Sequence, residues 1–306
     1  MHLIIPYAAV AAWPQDTLQS LELPHLRQLL AQAQCTQRDE DVPGEQPPPN
    51  MPHERVHMRC LGWPAMASAP WAALAHPEHS GPQAWITPCH WQIGMDQVVM
   101  LDPEVLNLSD QESQELLHAM QPFLQEDGLQ VQWDSALRWH ARASIFEHML
   151  STSLGRVMGA NVKPWITDGH LPASLRRLQS EMQMLLYNHP VNDARMARGQ
   201  FTVNSFWVHG AGQLPQPPSS ANPVVLIDEL RPHALRGDLQ AWQAAWQRVD
   251  AQQLAPLVGQ AHWHLSLCSE SAAHTYEKTP ASWLQRMVAR FRQPDTASAL
   301  QALMPT

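Results

Sequence analysis

Lysine is nearly absent from this chain. Among 306 residues only Lys163 and Lys278 occur, so the Lys+Arg count of 19 is almost all arginine. Against Asp+Glu 28 this leaves a formal net charge of -9, and a chain without a basic footprint is not a nonspecific nucleic-acid binder. The four cysteines (Cys35, Cys60, Cys89, Cys268) form no C-x-x-C pair, which excludes a zinc knuckle or a readable disulfide framework. Such thiols are ordinary buried residues of a reducing compartment, and the expected location is the cytoplasm. No uninterrupted apolar run approaches the ~20 residues of a membrane helix. The apolar start from Leu3 to Trp13 has no preceding Lys or Arg and is interrupted by Pro6, so it reads as a core strand rather than a signal peptide. G-x-S-x-G, P-loop and G-x-G-x-x-G sequences are also missing, which removes their enzyme classes. What is present is apolar: 44% hydrophobic residues and Trp 13 exclude disorder of the whole chain.

His2-Leu-Ile-Ile5 has the pattern of a strand buried on both faces of a parallel sheet. A helix is predicted at about Leu23–Gln34, with Leu26, Leu29 and Leu30 on one face. Residues 38–53 are acidic and then proline-rich, and 213–223 are proline-rich; both read as exposed loops. Residues 85–143 read as a β-α-β unit. In it Val98–Leu101 is a strand and Ser109 with Glu112 forms a capping box for a helix that Gly128 stops. Leu129–Trp133 and Leu137–Ala143 alternate as strands. Leu175–Leu186 and Leu239–Val249 carry helical stripes, and late strands are expected at Val203–Val208, Val224–Ile227 and Trp263–Leu267. Strands mixed with helices in this way indicate an α/β fold.

Two places carry polar groups suited to binding. On the strand Leu137–Ala143, alternation sends Arg138, His140 and Arg142 to one face, an arrangement that fits either a solvated face or an anion-binding surface. Between Arg176 and Gly212, a helix runs out before His189-Pro190. Asn192, Asp193, Arg195, Arg198, Asn204 and Trp207 then follow at an expected helix-to-strand junction, where open α/β sheets place ligands. Each also has a structural reading, as a turn or core residue.

Together Glu181, His189-Pro-Val-Asn192, Arg195, Gly199, Asn204, Trp207, Gly210 and Gly212 resemble the signature of the archaeal-type cofactor-independent phosphoglycerate mutases. Leu23-Pro-His-Leu-Arg-Gln-Leu-Leu30 is similar to that family's first helix, and Leu61-Gly-Trp63 resembles its Leu-Gly-Tyr. The likeness extends to a bacterial offshoot, the RpfE-type regulatory proteins. The resemblance implies an alkaline-phosphatase-like core at 1–84 and 144–306, with a mainly parallel sheet and residues 85–143 as an inserted substrate-type subdomain. It implies a phosphorylated or carboxylated small molecule as ligand, with a protein partner also in view and neither nucleic acid nor membrane. Arg138, Arg142, His189, Asn192, Arg195, Asn204 and Trp207 would line the site.

That family's chemistry uses two divalent metals, held by an Asp after the first strand and by late Asp and His residues, and a Ser nucleophile. Two metals clamp the attacking and leaving oxygens of the phosphate. Here Pro6-Tyr7 stands where the family has Asp-Gly, the nucleophile position falls near His53-Glu54, and Ser does not occur between residues 21 and 67. His262, His264, Glu270 and His274 remain as weak candidates for a manganese or zinc site. The reading is therefore a regulatory pseudoenzyme without a cofactor and with no assigned catalytic residue. The alternatives are an active mutase or phosphatase using His53, His262, His264 and Glu270, or an interaction protein with a vestigial pocket.

Overall fold

The computed structural model describes residues 1–14, 16–63, 68–167, 171–215, 223–278 and 295–305. The chain divides into two compact units, one built from 1–65 and 218–306 and the other from 66–217.

The first unit contains β1 (His2–Ile5), α1 (Asp16–Gln19), α2 (Pro24–Leu30), β2 (Ala33–Glu40) and α3 (Pro52–Cys60). The second contains α4 (Trp71–Ala75), β3 (Gln83–Cys89), β4 (Trp91–Ile93), β5 (Val98–Met100), α5 (Asp110–Glu126), β6 (Gln130–Ser135) and β7 (Arg138–Arg142). It continues through α6 (Leu154–Val157), α7 (Lys163–Thr167), α8 (Ala173–Tyr187), α9 (Pro190–Ala197) and β8 (Ser205–Gly212). The chain then returns to the first unit with β9 (Val224–Leu226), α10 (Arg231–Leu235), α11 (Leu239–Val249), β10 (His264–Cys268), β11 (Ala272–Lys278) and α12 (Thr296–Gln301).

The first unit is an α/β layer structure whose sheet has the order β2-β11-β10-β1-β9. β1 pairs parallel with β9 and β10, while β11 runs antiparallel to both β10 and β2, so four of the five strands point one way. The sheet is mainly parallel, as the sequence predicts. Leu3 and Ile5 face one layer with Leu265 and Leu267, where Trp242, Trp246 and Val249 of α11 and Leu26, Leu29 and Leu30 of α2 pack. Ile4 turns the other way, onto Val56 of α3 and Cys268. This is why the strand reads as continuously apolar. The helix expected over 23–34 stops at Leu30, because Ala33–Glu40 joins the sheet edge as β2. Residues 38–53 are thus only partly a loop: Arg38–Glu40 belong to β2 and Pro52-His53 open α3. The proline-rich stretch expected as a loop at 213–223 lies largely outside the described residues.

The second unit pairs β6-β7-β3-β8, all antiparallel, with β4-β5 as a separate hairpin. Ser109 caps α5 as expected, with Glu112 closing the capping box, and Gly128 follows that helix with φ 77°. The alternation on β7 is also as expected: Trp139 and Ala141 are buried beneath α5 and α8. The unit is wider than residues 85–143, however. β3 lies between β7 and the distant β8, and Leu175, Leu178, Met182 and Leu186 of α8 fill the same core as α5. A β-α-β unit alone would leave that face of the sheet half covered.

The turn after β1 is held from α11. Trp242 Nε1 donates to the Tyr7 carbonyl at 2.9 Å and Trp246 Nε1 to that of Ala8 at 3.1 Å. Removing one donor strands a buried acceptor. Trp246→Phe should therefore lower unfolding stability by about 1–3 kcal/mol in urea titration, and an unchanged midpoint would show that this bond does not hold the turn.

Candidate functional site

The His189-Pro-Val-Asn192 segment does not form a loop at a sheet edge. His189 is the N-cap of α9, its Nδ1 accepting from Val191 N, and Pro190 is the first helical residue. Proline lacks only an N–H that the first turn would leave unused, so it starts this helix as readily as it ends the one before. Asn192 is buried and spends its amide internally. Nδ2 donates to the Leu186 and Val203 carbonyls at 2.7 Å each, and Oδ1 accepts from Val203 N at 2.9 Å. The side chain thereby ties the end of α8 to the start of β8.

Arg195 is fully buried, at 0% exposure. Its Nε donates to the Phe201 carbonyl at 2.8 Å, Nη1 to Glu112 Oε2 at 2.9 Å, and Nη2 to the Leu106 carbonyl. The Glu112 carboxylate also receives Arg198 at 2.5 Å. Burial alone would raise that carboxyl's pKa, but the Ser109 N–H, Arg195 and Arg198 hold it below the usual range. Asn204 pairs with both backbone groups of Trp91, accepting from N at 2.7 Å and donating to O at 2.9 Å. Trp207 Nε1 donates to the Thr152 carbonyl at 3.0 Å. Gly199 ends α9 with φ 69°, and at Gly210 a Cβ would come within 3.2–3.3 Å of Trp85 and Trp71. In this segment the donors point into the unit rather than out at a ligand.

Arg138, His140 and Arg142 do share one face of β7, and it is the face opposite Trp139 and Ala141. Arg195, anchored to α5, belongs to the Trp139 side. The expected convergence of Arg138 and Arg142 with the 192–204 segment across a cleft is therefore not found; the sheet separates them. On the outer face Arg138 pairs with Asp134 at 2.6 Å and lies 5.3 Å from the centre of the Trp85 ring. Beneath it His209 bonds Thr87 Oγ1 at 2.9 Å, and burial, with Arg138 next, pushes its imidazole down to about 3. His140 packs against two further imidazoles, His76 at 4.2 Å and His79 at 5.1 Å, contributed by the turn after α4 and 6.3 Å from each other. Nothing at the sequence level singled out His76 and His79, because the strand pairing that delivers them is non-local.

In the first unit the parallel strands deliver Tyr7, Asp228 and Glu270 to one end of the sheet. Tyr7 is buried with φ 53°, a left-handed backbone that an L side chain rarely adopts, at the position where the resembled family has Gly. Burial, then Glu270, keeps its phenol protonated above the ordinary range. Asp228 pairs with Arg231 at 2.6 Å, and burial raises its carboxyl. Glu54 caps α3 by accepting from Met51 N at 2.7 Å, and His53 sits beside it in the first turn.

The weak metal candidates disperse. His262 is exposed and precedes β10, so it shares no strand face with His264. His264 stacks on His2 at 5.3 Å, on the face of Ser266. His274 is opposite Leu267, on the other face, and bonds Glu40 at 3.0 Å. Among the described residues no three His, Cys, Asp or Glu side chains converge as a metal set. The donors present do not fit a two-metal centre. Nor is a thiolate prepared: His2 Nδ1 contacts Cys60 Sγ at 3.1 Å, but burial lowers His2 to about 4 and raises Cys60, so the pair is neutral.

No protein-family model and no curated protein matches the chain. Among solved structures, a cofactor-independent phosphoglycerate mutase from Thermoplasma acidophilum DSM 1728 aligns over 99% of this chain and 98% of its own, at 13% identity and TM-score 0.37. The PH0037 protein from Pyrococcus horikoshii aligns over 90% and 86%, at 10% identity and TM-score 0.44. Both scores lie below 0.5, so neither likeness carries a function to this chain. No helix among the described residues is long and apolar enough to cross a membrane.

Asn192→Ala strands several buried backbone groups and should cost roughly 2–4 kcal/mol; Asn204→Ala, at the half-buried Trp91 contact, should cost roughly 1–3 kcal/mol. Chemical denaturation measures both, and losses under 0.5 kcal/mol would return these residues to a binding role.

Proposed function

We propose that this chain is a regulatory relative of the phosphoglycerate mutases that does not perform two-metal phosphoryl transfer. In this reading it acts in the cytoplasm, after the manner of the RpfE-type proteins, by binding an anionic ligand or partner. The observation that carries it is Tyr7. Pro6 stands where the resembled family puts a metal-binding Asp, and Tyr7, a bulky buried phenol in a left-handed turn at the end of the parallel strands, takes the place of the Gly that follows it. The late histidines that could have substituted lie on different faces of the sheet or outside it.

The ligand surface in this reading is the outer face of β7. Among the described residues Arg142 has no hydrogen-bond or ion-pair partner, and Arg138 and the imidazoles flank it. A guanidinium without a carboxylate suits a phosphate or carboxylate through paired hydrogen bonds. Val191 and Val203 pack on the core side of the sheet, while Trp207 lies on the outer face among Cys89, Trp91 and Trp165; in this reading neither group touches the ligand.

Two measurements test the proposal. Mutase and phosphatase turnover should stay at background with added manganese, magnesium or cobalt. 3-Phosphoglycerate or inorganic phosphate should raise the melting temperature, since a ligand of the folded state stabilises it, and Arg142→Gln should abolish that shift. Metal-dependent turnover above background overturns the non-catalytic reading; a shift unaffected by Arg142→Gln overturns the assigned surface.

A further inference from the structure

The three stacked imidazoles do something that the proposed binding surface does not require. His140 is buried at 3% exposure against both His76 and His79, with ring planes 28° and 15° from parallel, and the two outer rings lie 6.3 Å from each other, so the three imidazoles form a compact triangle. The tautomer of its neutral form is set by Gln83. That amide donates from Nε2 to the carbonyls of His76 and His79, at 3.3 and 2.9 Å, so its Oε1 is the atom turned to His140. Oε1 is an acceptor only, and at 2.7 Å His140 must donate from Nε2. A second proton can then enter only at Nδ1, making a cation against two neighbouring rings. One residue, Gln83, thus connects the central imidazole to the backbone of the turn that carries the other two.

We infer that the His76–His140–His79 cluster is an acid-operated latch: a neutral His140 fastens the 76–82 turn to the outer face of the sheet, and its protonation releases it.

The charges facing the stack set the direction. From the turn itself Glu78 lies 3.3 Å from His76 and 3.7 Å from His79. From β7 comes Arg142, a fixed positive charge, and from β6 comes Asp134, which is taken by Arg138. Gln132 of β6 is opposite His140 and carries no charge. From β8, His209 is held neutral beneath Arg138. A charged His140 is opposed by Arg142, whose charge is fixed. Burial, followed by His76, His79 and Arg142, pushes His140 down to about 4. In the released turn the same ring would titrate near ~6.5. A group whose pKa is depressed when closed stabilises the closed form above the open-state value and loses that contribution as pH falls between the two. The window is therefore from ~6.5 down to about 4. For His140 alone, linkage gives about a 30-fold rise in opening from pH 7.5 to pH 5.

Hydrogen exchange of the 76–82 amides in the full chain, corrected for intrinsic rates, reads this directly. Protection should fall about 30-fold between pH 7.5 and pH 5 while amides of β1 and α11 hold theirs. His140→Phe keeps a stacked ring that cannot titrate, and it should flatten the dependence. Imidazole NMR of the unmodified protein gives a readout that no variant can spoil by misfolding: His140 should stay neutral while the turn is protected. Constant protection across the range, a His140 that charges near ~6.5 with the turn still closed, or an unchanged dependence in a folded His140→Phe protein would each overturn the inference.

Discussion

A guanidinium with no exposed surface persists only when its donors are taken, because an unpaired buried charge costs several kcal/mol. That constraint organises the second unit. Arg195 satisfies it through Glu112 and the carbonyls of Leu106 and Phe201, and in doing so fixes α9 against α5 and the chain leading into β8. Asn192 and Asn204 obey the same rule for backbone groups, one across the end of α8, the other at Trp91. The first unit meets it at Asp250, which accepts from the backbone N–H groups of His25 and Leu26 and so starts α2 from the end of α11. In each case a polar side chain stands in for secondary structure where the backbone has none.

This changes the meaning of the longest motif in the chain. Its fixed gaps arise because each residue must meet a partner at a set distance along one compact path of helix, turn and strand. A pattern of that kind is conspicuous whether it supports a ligand or only itself, and here the hydrogen bonds are consumed internally. The proposed binding surface is instead the outer face of the sheet, which carries Arg142 and three clustered imidazoles.

Much of the fold was legible in local pattern. The buried run at β1, the capping box of α5, the stripes of α8 and α11 and the alternation on β7 are each decided within a few residues. What could not be read was non-local. β2 is a polar edge strand whose partner β11 is more than 230 residues away, so its own sequence carries no apolar signal. The extent of the second unit depends on β8 returning beside β3, and α9 was missed because His189-Pro190 reads equally as a stop and a start. The candidate site suffered most: the residue types were visible, but which side of the sheet each one faced was decided by pairing between distant strands.

The central claim is that Arg195 and its neighbours hold the unit together rather than a ligand. A double-mutant cycle with Arg195→Met and Glu112→Gln, followed by urea denaturation, tests it most directly. A structural pair predicts a coupling energy of roughly 2 kcal/mol or more, with each single change strongly destabilising. Additivity within ~0.5 kcal/mol, as expected of independent sites, with stability near that of the unmodified protein and phosphate binding lost on Arg195→Met, would contradict it.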